Sequence, residues 1–173
     1  MRTATDDDLA AIVALYQSAF PDEDGETVGR VARALFEEPE GDETFALVAV
    51  ENGDVIGHVG FSRTTCQGSP LRGSILAPLG VLPSHQSHGI GSKLVRAGLD
   101  LLKASNVDIV FVYGDPGYYG RFGFDTKTTT GLRPDYELQF PHAWMGKVLG
   151  DATPIPDVGR LTCSAALADP RIW

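Results

Sequence analysis

The chain has 173 residues, 43% of them hydrophobic and 21% charged, which gives one domain with a full core and excludes a disordered chain. Its net charge of −9 is uneven, because residues 1–51 hold 13 acids against three arginines and the remainder is nearly neutral. Neither part carries a lysine- and arginine-rich stripe or a membrane-length apolar run, so we predict no nucleic-acid partner and no membrane partner.

Two helices are predicted at the front of the chain. Thr5 followed by three aspartates is typical of a helix start, because an N-cap hydroxyl and first-turn acids both favour one. Apolar residues then recur at helical spacing as far as Pro21, and a second amphipathic run extends from residue 26 to about residue 38. The acids at 22–26 are therefore expected in the loop between the two helices.

Three strands are predicted after the helices. Residues 44–51 and 55–63 are apolar and rich in branched side chains, and the Asn-Gly pair between them is a strong hairpin signal. Residues 74–82 form the third predicted strand, although Pro78 in its middle cannot donate a ladder hydrogen bond. A proline at that place predicts a bulge or an interruption of strand pairing.

The second half of the chain continues the alternation of helices and strands. The remaining predicted elements are an amphipathic helix after Gly91, a buried strand at 107–113, a short helical segment at 118–122, and strands near 132–140 and 159–165. This order of elements predicts a mixed α/β (α+β) fold in a single domain.

A glycine-rich turn, Gln86-x-x-Gly89-x-Gly91, lies between the third strand and the next helix. Glycines allow a sharp turn and a close backbone approach, and the first N–H groups of the helix can then bind an anion. The sequence has no P-loop pattern, and Leu94 stands where the dinucleotide fingerprint needs its third glycine. The turn therefore predicts a phosphate or diphosphate cradle, with an ordinary tight helix start as the alternative.

The same turn, together with Pro78 before it and the Tyr-Gly-Arg-Phe-Gly-Phe run that begins at Tyr119, resembles the GNAT superfamily of N-acetyltransferases, and within it the YhbS-like branch. The resemblance covers about residues 1–125. It implies a mixed central sheet with one splayed strand and flanking helices, in a GNAT-like domain at 1–150 with a C-terminal extension at 151–173 packed on it. It also implies acetyl-CoA as co-substrate, no metal, and a primary amine of a small molecule or protein as acceptor.

The resemblance also implies roles for individual residues. Tyr119 is the expected general acid, which gives a proton to the departing thiolate of CoA. Backbone N–H groups near Leu79, Gly80 and Val81 are expected to hold the thioester oxygen and to pair with the pantetheine arm. The other residues expected to bind the coenzyme are those of the turn: Gln86, Ser87, His88, Gly89, Ile90, Gly91 and Ser92.

No general base is identified, because the strand at 74–82 lacks the glutamate that some family members use there. His58 on the neighbouring strand is one candidate, and a hydrogen-bonded or exposed histidine is the alternative. Asp115 is expected as a turn or helix-cap residue, and Cys66 as an unreactive loop thiol. The two cysteines lack the spacing of a disulfide framework or a zinc site, so a reduced, cytoplasmic setting is expected.

Two other functions and the oligomeric state stay open from the sequence alone. A non-catalytic acyl-CoA-binding or regulatory module fits the missing carboxylate, and an α/β oxidoreductase is opposed by the absent third glycine. A homodimer is compatible with the sequence. The resemblance implies that the loop between the front helices borders the acceptor, so the acidic front, with the acids at 22–26, is expected to steer a cationic amine; ordinary solvated acidic helix faces are the alternative.

Overall fold

The computed structural model describes residues 1–20, 22–38, 44–134, 136–150 and 155–173. In this part of the chain eight strands join one sheet, and the sheet is flanked by four α-helices. The strands are β1 (Arg2–Thr3), β2 (Phe45–Glu51), β3 (Asp54–Cys66), β4 (Arg72–Val81), β5 (Ile109–Tyr113), β6 (Leu132–Pro134), β7 (Trp144–Val148) and β8 (Gly159–Thr162). The helices are α1 (Leu9–Ala19), α2 (Asp22–Glu37), α3 (Ile90–Ala104) and α4 (Pro116–Tyr119).

The sheet is mixed, which confirms the predicted fold class. Its order is β1-β2-β3-β4-β5-β7, and β8 pairs with both the end of β3 and β6. The β4–β5 and β6–β8 pairs are parallel, and the other described pairs are antiparallel. The predicted hairpin between β2 and β3 is also present, and both Asn52 and Gly53 adopt the positive φ that a tight hairpin turn favours.

Helix α3 covers one face of the sheet, and helices α1 and α2 cover the other. Phe61 of β3 packs in the cluster that contains Leu94 and Val95 of α3, whereas Val48 of β2 packs with Ile12 of α1. The approach of α3 is close, because a Cβ atom at Gly98 would lie 2.1 Å from the ring of Phe61. The period-two pattern of the strands and the helical pattern of α3 therefore meet in one core.

A single 3-10 turn (Asp6–Asp8) leads into α1, and Thr5 is the N-cap residue of this turn, as the sequence predicts. The main-chain N–H and the hydroxyl of Thr5 both donate to Asp8 Oδ2, at 2.8 and 3.0 Å. Arg2 donates to both oxygens of the same carboxylate, at 2.6 and 2.7 Å. The hydrogen bonds from Arg2 lower the pKa of Asp8 most, and those from Thr5 add to the effect, so this pKa lies well below its usual range. The same bonds fix β1 against the helix start.

Helix α2 begins at Asp22, four residues before the predicted start. The expected acidic loop at 22–26 is therefore helical, and that prediction is wrong. Gly25 lowers local helix propensity, which explains why the pattern indicated a later start. In the fold a Cβ at Gly25 would lie 2.6 Å from the carbonyl oxygen of Phe20, so glycine permits the close turn between α1 and α2.

Strand β4 separates from β5 in its second half, as predicted. β5 pairs with Gly73, Ser74 and Ile75 only, whereas β4 stays paired with β3 as far as Val81. The register of the β3–β4 pair shifts opposite Gly60, which leaves an extra residue of β4 at the position of Pro78. A bulge tolerates a residue that cannot donate a ladder hydrogen bond, which explains how Pro78 is accommodated in β4. The pairing of β4 with β5 ends before the same bulge.

After residue 125 the sequence pattern and the structure differ. The pattern predicts a strand over 132–140, but β6 ends at Pro134. It gives no signal for β7, which contains Gly146 and pairs along the whole of β5. The free edge of β5 therefore determines this strand more than its own residues do.

The end of the chain packs on the sheet through aromatic contacts. Trp173 is buried, with its ring 5.8 Å from that of Trp144 and 5.9 Å from that of Tyr136. Its indole N–H donates to the carbonyl of Leu167 at 2.9 Å. Among the helices in the described part of the chain, none has the length and apolarity to cross a membrane.

Candidate active site

The glycine-rich turn forms the N-terminal cap of α3. Gly89, the cap residue, has a φ of +76°, and Ser87 before it has a φ of +64°. These left-handed conformations bring the chain into a helix that begins at Ile90 and leave the first N–H groups of that helix without helical partners. With 15 residues, α3 adds a dipole whose positive end lies at the turn. The turn can therefore hold an anion, as predicted from its sequence.

A cleft of about 550 Å³ runs along this turn and the separated end of β4. Its lining includes nine of the ten residues predicted to bind the coenzyme: Leu79, Gly80, Val81, Gln86, Ser87, Gly89, Ile90, Gly91 and Ser92. The tenth, His88, is exposed on the turn and lies outside the lining. Further walls come from Ala19, Phe20, His85, Tyr118 and Arg121.

The side chain of Gln86 connects the turn to β4. Its Nε2 donates to the carbonyl oxygen of Val81 at 3.1 Å. That carbonyl lies beyond the part of β4 that pairs with β5, so the side chain satisfies an acceptor that a neighbouring strand would otherwise use. Gln86 thereby positions the end of β4 relative to the turn.

The main chain of β4 presents unpaired donors to the opening. The N–H of Leu82 donates to Ile56 at the far side of the β3–β4 ladder. Because main-chain groups alternate in direction along a strand, the N–H groups of Leu79 and Val81 point away from β3 and into the gap, whereas that of Gly80 points toward β3. Two of the three predicted donors therefore face the opening between β4 and β5.

Tyr119 packs edge-on against Tyr118, with ring centroids 5.0 Å apart. Its ring fills the space beside Gly114, where a Cβ would lie 2.6 Å from a ring carbon, and contacts Phe124 edge-on with centroids 5.9 Å apart. Burial, and then the charges of Tyr118 and Asp115, raise the pKa of Tyr119 well above its ordinary value. Tyr119 therefore stays protonated at neutral pH and can donate, although it is not part of the cleft lining.

Tyr118 lines the cleft. Its hydroxyl lies close to α3, because a Cβ at Gly91 would be 2.7 Å from it. The guanidinium carbon of Arg121 lies 4.3 Å from the centre of the Tyr118 ring, one helical turn further on. Arg121 thus brings a positive charge to the cleft, and its spacing of three residues from Tyr118 is the signal that could have indicated it.

A buried hydrogen bond lies next to Gly80. The hydroxyl of Tyr16 is 2.6 Å from Nδ1 of His58, and both residues are almost fully buried. A Cβ at Gly80 would lie 2.7 Å from the Tyr16 ring, and Gly80 is the cross-strand partner of His58. Burial lowers the pKa of His58 to about 3, so it is neutral at physiological pH. The sequence left His58 as either a general base or a hydrogen-bonded or exposed histidine. The contact of its Nδ1 with Tyr16 agrees with a hydrogen-bonded histidine.

The other candidates have ordinary structural surroundings. Asp115 caps α4 by accepting the N–H of Gly117 at 2.8 Å, as expected. Cys66 is buried at the end of β3 rather than in a loop, and burial raises the pKa of its thiol. His85 contacts Glu51 at 3.3 Å. Within the described residues no cluster of potential ligands could hold a metal ion, and no acidic side chain lines the cleft.

A mixed sheet that opens between two parallel strands, directly beside a glycine-capped helix N-terminus, is the architecture of the GNAT class of acyltransferases. The acetyltransferase (GNAT) domain family matches residues 1–126, and the chain belongs to this family. The predicted resemblance is thereby confirmed, and the chain is an acyltransferase.

Curated relatives agree with this assignment. The uncharacterized N-acetyltransferase YjhQ of Escherichia coli (strain K12) is 35% identical over 137 residues, which are 76% of this chain and 75% of that protein. The uncharacterized N-acetyltransferase YhbS of the same strain is 40% identical over 91 residues, which are 52% of this chain and 54% of that protein.

Two solved structures are similar over nearly the whole chain. The GNAT family N-acetyltransferase YhbS from Escherichia coli, in complex with CoA, has a TM-score of 0.83 at 28% identity and covers 97% of this chain and 91% of its own. A GNAT family acetyltransferase from Brucella melitensis, in complex with acetyl-CoA, has a TM-score of 0.75 at 30% identity and covers 95% of both chains.

Proposed function

We propose that this chain transfers the acetyl group of acetyl-CoA to a primary amine of a small molecule or protein. The observation that carries the proposal is the separation of β4 from β5 beside the N-terminus of α3. A pantetheine arm needs unpaired strand donors and a diphosphate needs a helix N-terminus, and the cleft offers both together. The CoA and acetyl-CoA in the two solved relatives support this choice of co-substrate.

On the coenzyme side the chain has groups of the right charge and size. The N–H groups at the start of α3 would hold the diphosphate, and Arg121 would add a positive charge at the same wall. Residues 79–81 and the turn at 86–92 are proposed as the coenzyme site. Residues 1–150 are proposed as the catalytic domain, with residues 151–173 as an extension packed on it.

The proposed reaction uses the main chain of β4 and one phenol. A neutral amine nitrogen attacks the thioester carbonyl carbon, and the N–H groups of Leu79 and Val81 stabilise the negative charge on the oxygen. When the C–S bond breaks, Tyr119 gives its proton to the thiolate, and the proton lost by the amine restores the phenol through solvent. The phenol of Tyr119 is protonated before each turnover, because burial raises its pKa above the ordinary value.

Calorimetric titration with acetyl-CoA tests the binding half of the proposal. A Gly91→Glu variant places a carboxylate at the anion cradle and should weaken acetyl-CoA binding about tenfold or more. Ala104→Glu, an exposed change at the opposite end of the same helix, is the matched control and should leave the affinity unchanged. Absence of binding to the wild-type chain at millimolar acetyl-CoA would contradict the proposal.

Thiol release in the presence of an amine panel tests the transfer half. We expect CoA thiol to appear only when protein, acetyl-CoA and a suitable amine are all present. Tight acetyl-CoA binding without thiol release from any amine would favour the non-catalytic binding module over transfer.

A further inference from the structure

Two arginine side chains meet at the ring of Phe122, next to the coenzyme cleft. The guanidinium carbon of Arg96, on α3, lies 5.3 Å from the centre of this ring, and that of Arg121 lies 5.8 Å from it. Phe122 is buried, whereas both arginines are exposed. One aromatic ring therefore supports two positive charges that stay open to solvent.

Arg121 is held in place before any ligand binds. Its Nε donates to the carbonyl oxygen of Tyr118 at 2.9 Å, and the Tyr118 and Phe122 rings meet edge-on with centroids 5.5 Å apart. No described residue accepts from the terminal N–H groups of this guanidinium, so they remain available to a ligand. A side chain fixed in advance loses less conformational freedom on binding.

Arg96 lies one helical turn beyond the anion cradle. Ser92, in the lining of the cleft, and Arg96 are four residues apart on α3, so they share a face of the helix and are separated by about 6 Å along its axis. Arg121 belongs to the lining of the same cleft. The two guanidinium groups therefore lie next to the cradle, on the side of α3 that Ser92 shares.

The charges of this arginine pair are not neutralised within the described part of the chain. Neither guanidinium forms an ion pair with a described residue, although Asp100 lies one turn after Arg96 on α3. Like charges near one ring repel each other, and an anion bound to both relieves that repulsion. The net charge of −9 opposes the approach of an anionic coenzyme, so local cations at the cleft have a particular effect.

The chemistry of guanidinium groups favours a phosphate as this anion. Arginine offers paired N–H donors that match phosphate oxygens, and it stays charged at any physiological pH. The proposed site already gives the diphosphate of acetyl-CoA to the start of α3 and the pantetheine arm to β4. The remaining anionic group of the coenzyme is the phosphate at the 3′ position of its ribose, which the sugar separates from the diphosphate.

We propose that Arg96 and Arg121 bind the 3′-phosphate of the coenzyme and make the protein selective for acetyl-CoA over 3′-dephospho-acetyl-CoA. The inference rests on the acetyl-CoA binding proposed above and adds a specificity to it. This phosphate is remote from the thioester, so the pair binds the ground state and the transition state equally. We therefore expect it to change the affinity and the KM for the coenzyme and to leave kcat at saturation unchanged.

Calorimetric titration with the two coenzymes tests the selectivity without a catalytic readout. We expect the wild-type protein to bind acetyl-CoA about tenfold or more tightly than 3′-dephospho-acetyl-CoA at about 50 mM salt, since hydrogen bonds between charged groups are strong. The ratio should fall as salt rises to about 500 mM, because both arginines are exposed and screening weakens the interaction. Equal affinities for the two coenzymes at low salt would overturn the proposal.

Substitutions at Arg96 give the sharper test, because this residue is not in the cleft lining. Arg96→Gln should lose most of the preference for the 3′-phosphate and keep the wild-type affinity for 3′-dephospho-acetyl-CoA, which also shows that the variant is folded. Arg96→Lys keeps the charge and should retain part of the preference. Lys103→Gln removes an exposed positive charge from the last turn of the same helix and is the matched control, with the preference unchanged.

A second pair of measurements distinguishes a phosphate contact from a general electrostatic field. Arg121→Gln should weaken the binding of acetyl-CoA more than that of 3′-dephospho-acetyl-CoA. If Arg96→Gln weakened the binding of both coenzymes by the same factor, or Lys103→Gln reduced the preference as much as Arg96→Gln does, the contact with the 3′-phosphate would be excluded.

The results also separate this selectivity from acetyl transfer. Selective binding of acetyl-CoA without thiol release from any amine would remove transfer and keep the phosphate site. Thiol release with the same KM for both coenzymes would keep transfer and remove the phosphate site. Absence of binding by either coenzyme at millimolar concentration would overturn both proposals.

Discussion

The Tyr16 hydroxyl lies 2.6 Å from Nδ1 of His58, and this bond joins α1 to β3. The ring of Tyr16 also covers Gly80, so the same side chain contacts both strands of the β3–β4 ladder. The position of α1 over the β3–β4 ladder therefore depends on this pair of residues. A change in either residue should affect stability and function together.

Stability should depend on the ionisation of His58. Burial lowers its pKa from 6.5 to about 3, so between these values the unfolded chain binds a proton that the folded protein does not. The free energy of unfolding should then be fully retained above about pH 6.5 and should fall as the pH decreases, by up to about 1.4 kcal/mol per pH unit. Urea unfolding at a series of pH values from about 4.5 to 7.5 measures this slope.

The His58→Gln variant isolates the histidine from the other groups. Asp8 has a pKa that is lowered from 3.8, so its effect appears only at more acidic pH. We expect the variant to lose most of the slope between about pH 4.5 and 6.5, while His142→Gln keeps it. An equal slope in wild-type and His58→Gln proteins would show that His58 is accessible to protons in the folded state.

The contact between α3 and β3 should not tolerate a methyl group at Gly98. A Cβ there would lie 2.1 Å from the Phe61 ring, in the middle of the core. Alanine raises helix propensity by about 1 kcal/mol, but overpacking costs about 1–3 kcal/mol, so Gly98→Ala should lower the free energy of unfolding. Gly120→Ala, with nothing within 4 Å of its Cβ, is the control and should change stability by no more than about 0.5 kcal/mol. Equal stability of both variants in urea would mean that Phe61 moves aside freely.

Removal of the Tyr119 hydroxyl should slow acetyl transfer without weakening acetyl-CoA binding. A general acid contributes about 10²-fold or more, so Tyr119→Phe should reduce kcat by about that factor and leave acetyl-CoA affinity unchanged. Tyr136→Phe is the control, because Tyr136 stacks on Trp173 outside the cleft. The raised pKa also predicts that ionisation of Tyr119 does not limit kcat in the wild-type protein up to mildly alkaline pH. Normal turnover of the phenylalanine variant would exclude this residue as the acid.

The acidic front of the chain should increase the rate of encounter with cationic acceptors. Residues 1–51 carry 13 acids against three arginines. We expect kcat/KM for a protonated alkylamine to fall as salt rises from about 20 to 300 mM, and kcat/KM for aniline, which is uncharged near neutral pH, to change little. The same salt dependence for both acceptors would exclude electrostatic steering.

Features that depend on a few adjacent residues were predictable. The cap at Thr5, the Asn-Gly hairpin and the glycine turn each depend on the backbone preferences of neighbouring residues, so a short stretch of sequence contains the information. Helix α2 and strand β7 were mispredicted because Gly25 and Gly146 weaken the local signal. In the fold, Gly25 allows a close turn, and the free edge of β5 supplies the partner of β7.

The sequence by itself determined the family, the fold class and the residues of the glycine turn, because those features are local patterns in fixed order. Only the tertiary structure decided that Tyr118 and Arg121 line the cleft, and that Tyr16 meets His58 across 42 residues of chain. Such contacts depend on sheet order and on the angle at which a helix packs, neither of which a single segment specifies. The buried, unpaired Nε2 of His58 belongs to this second kind of information.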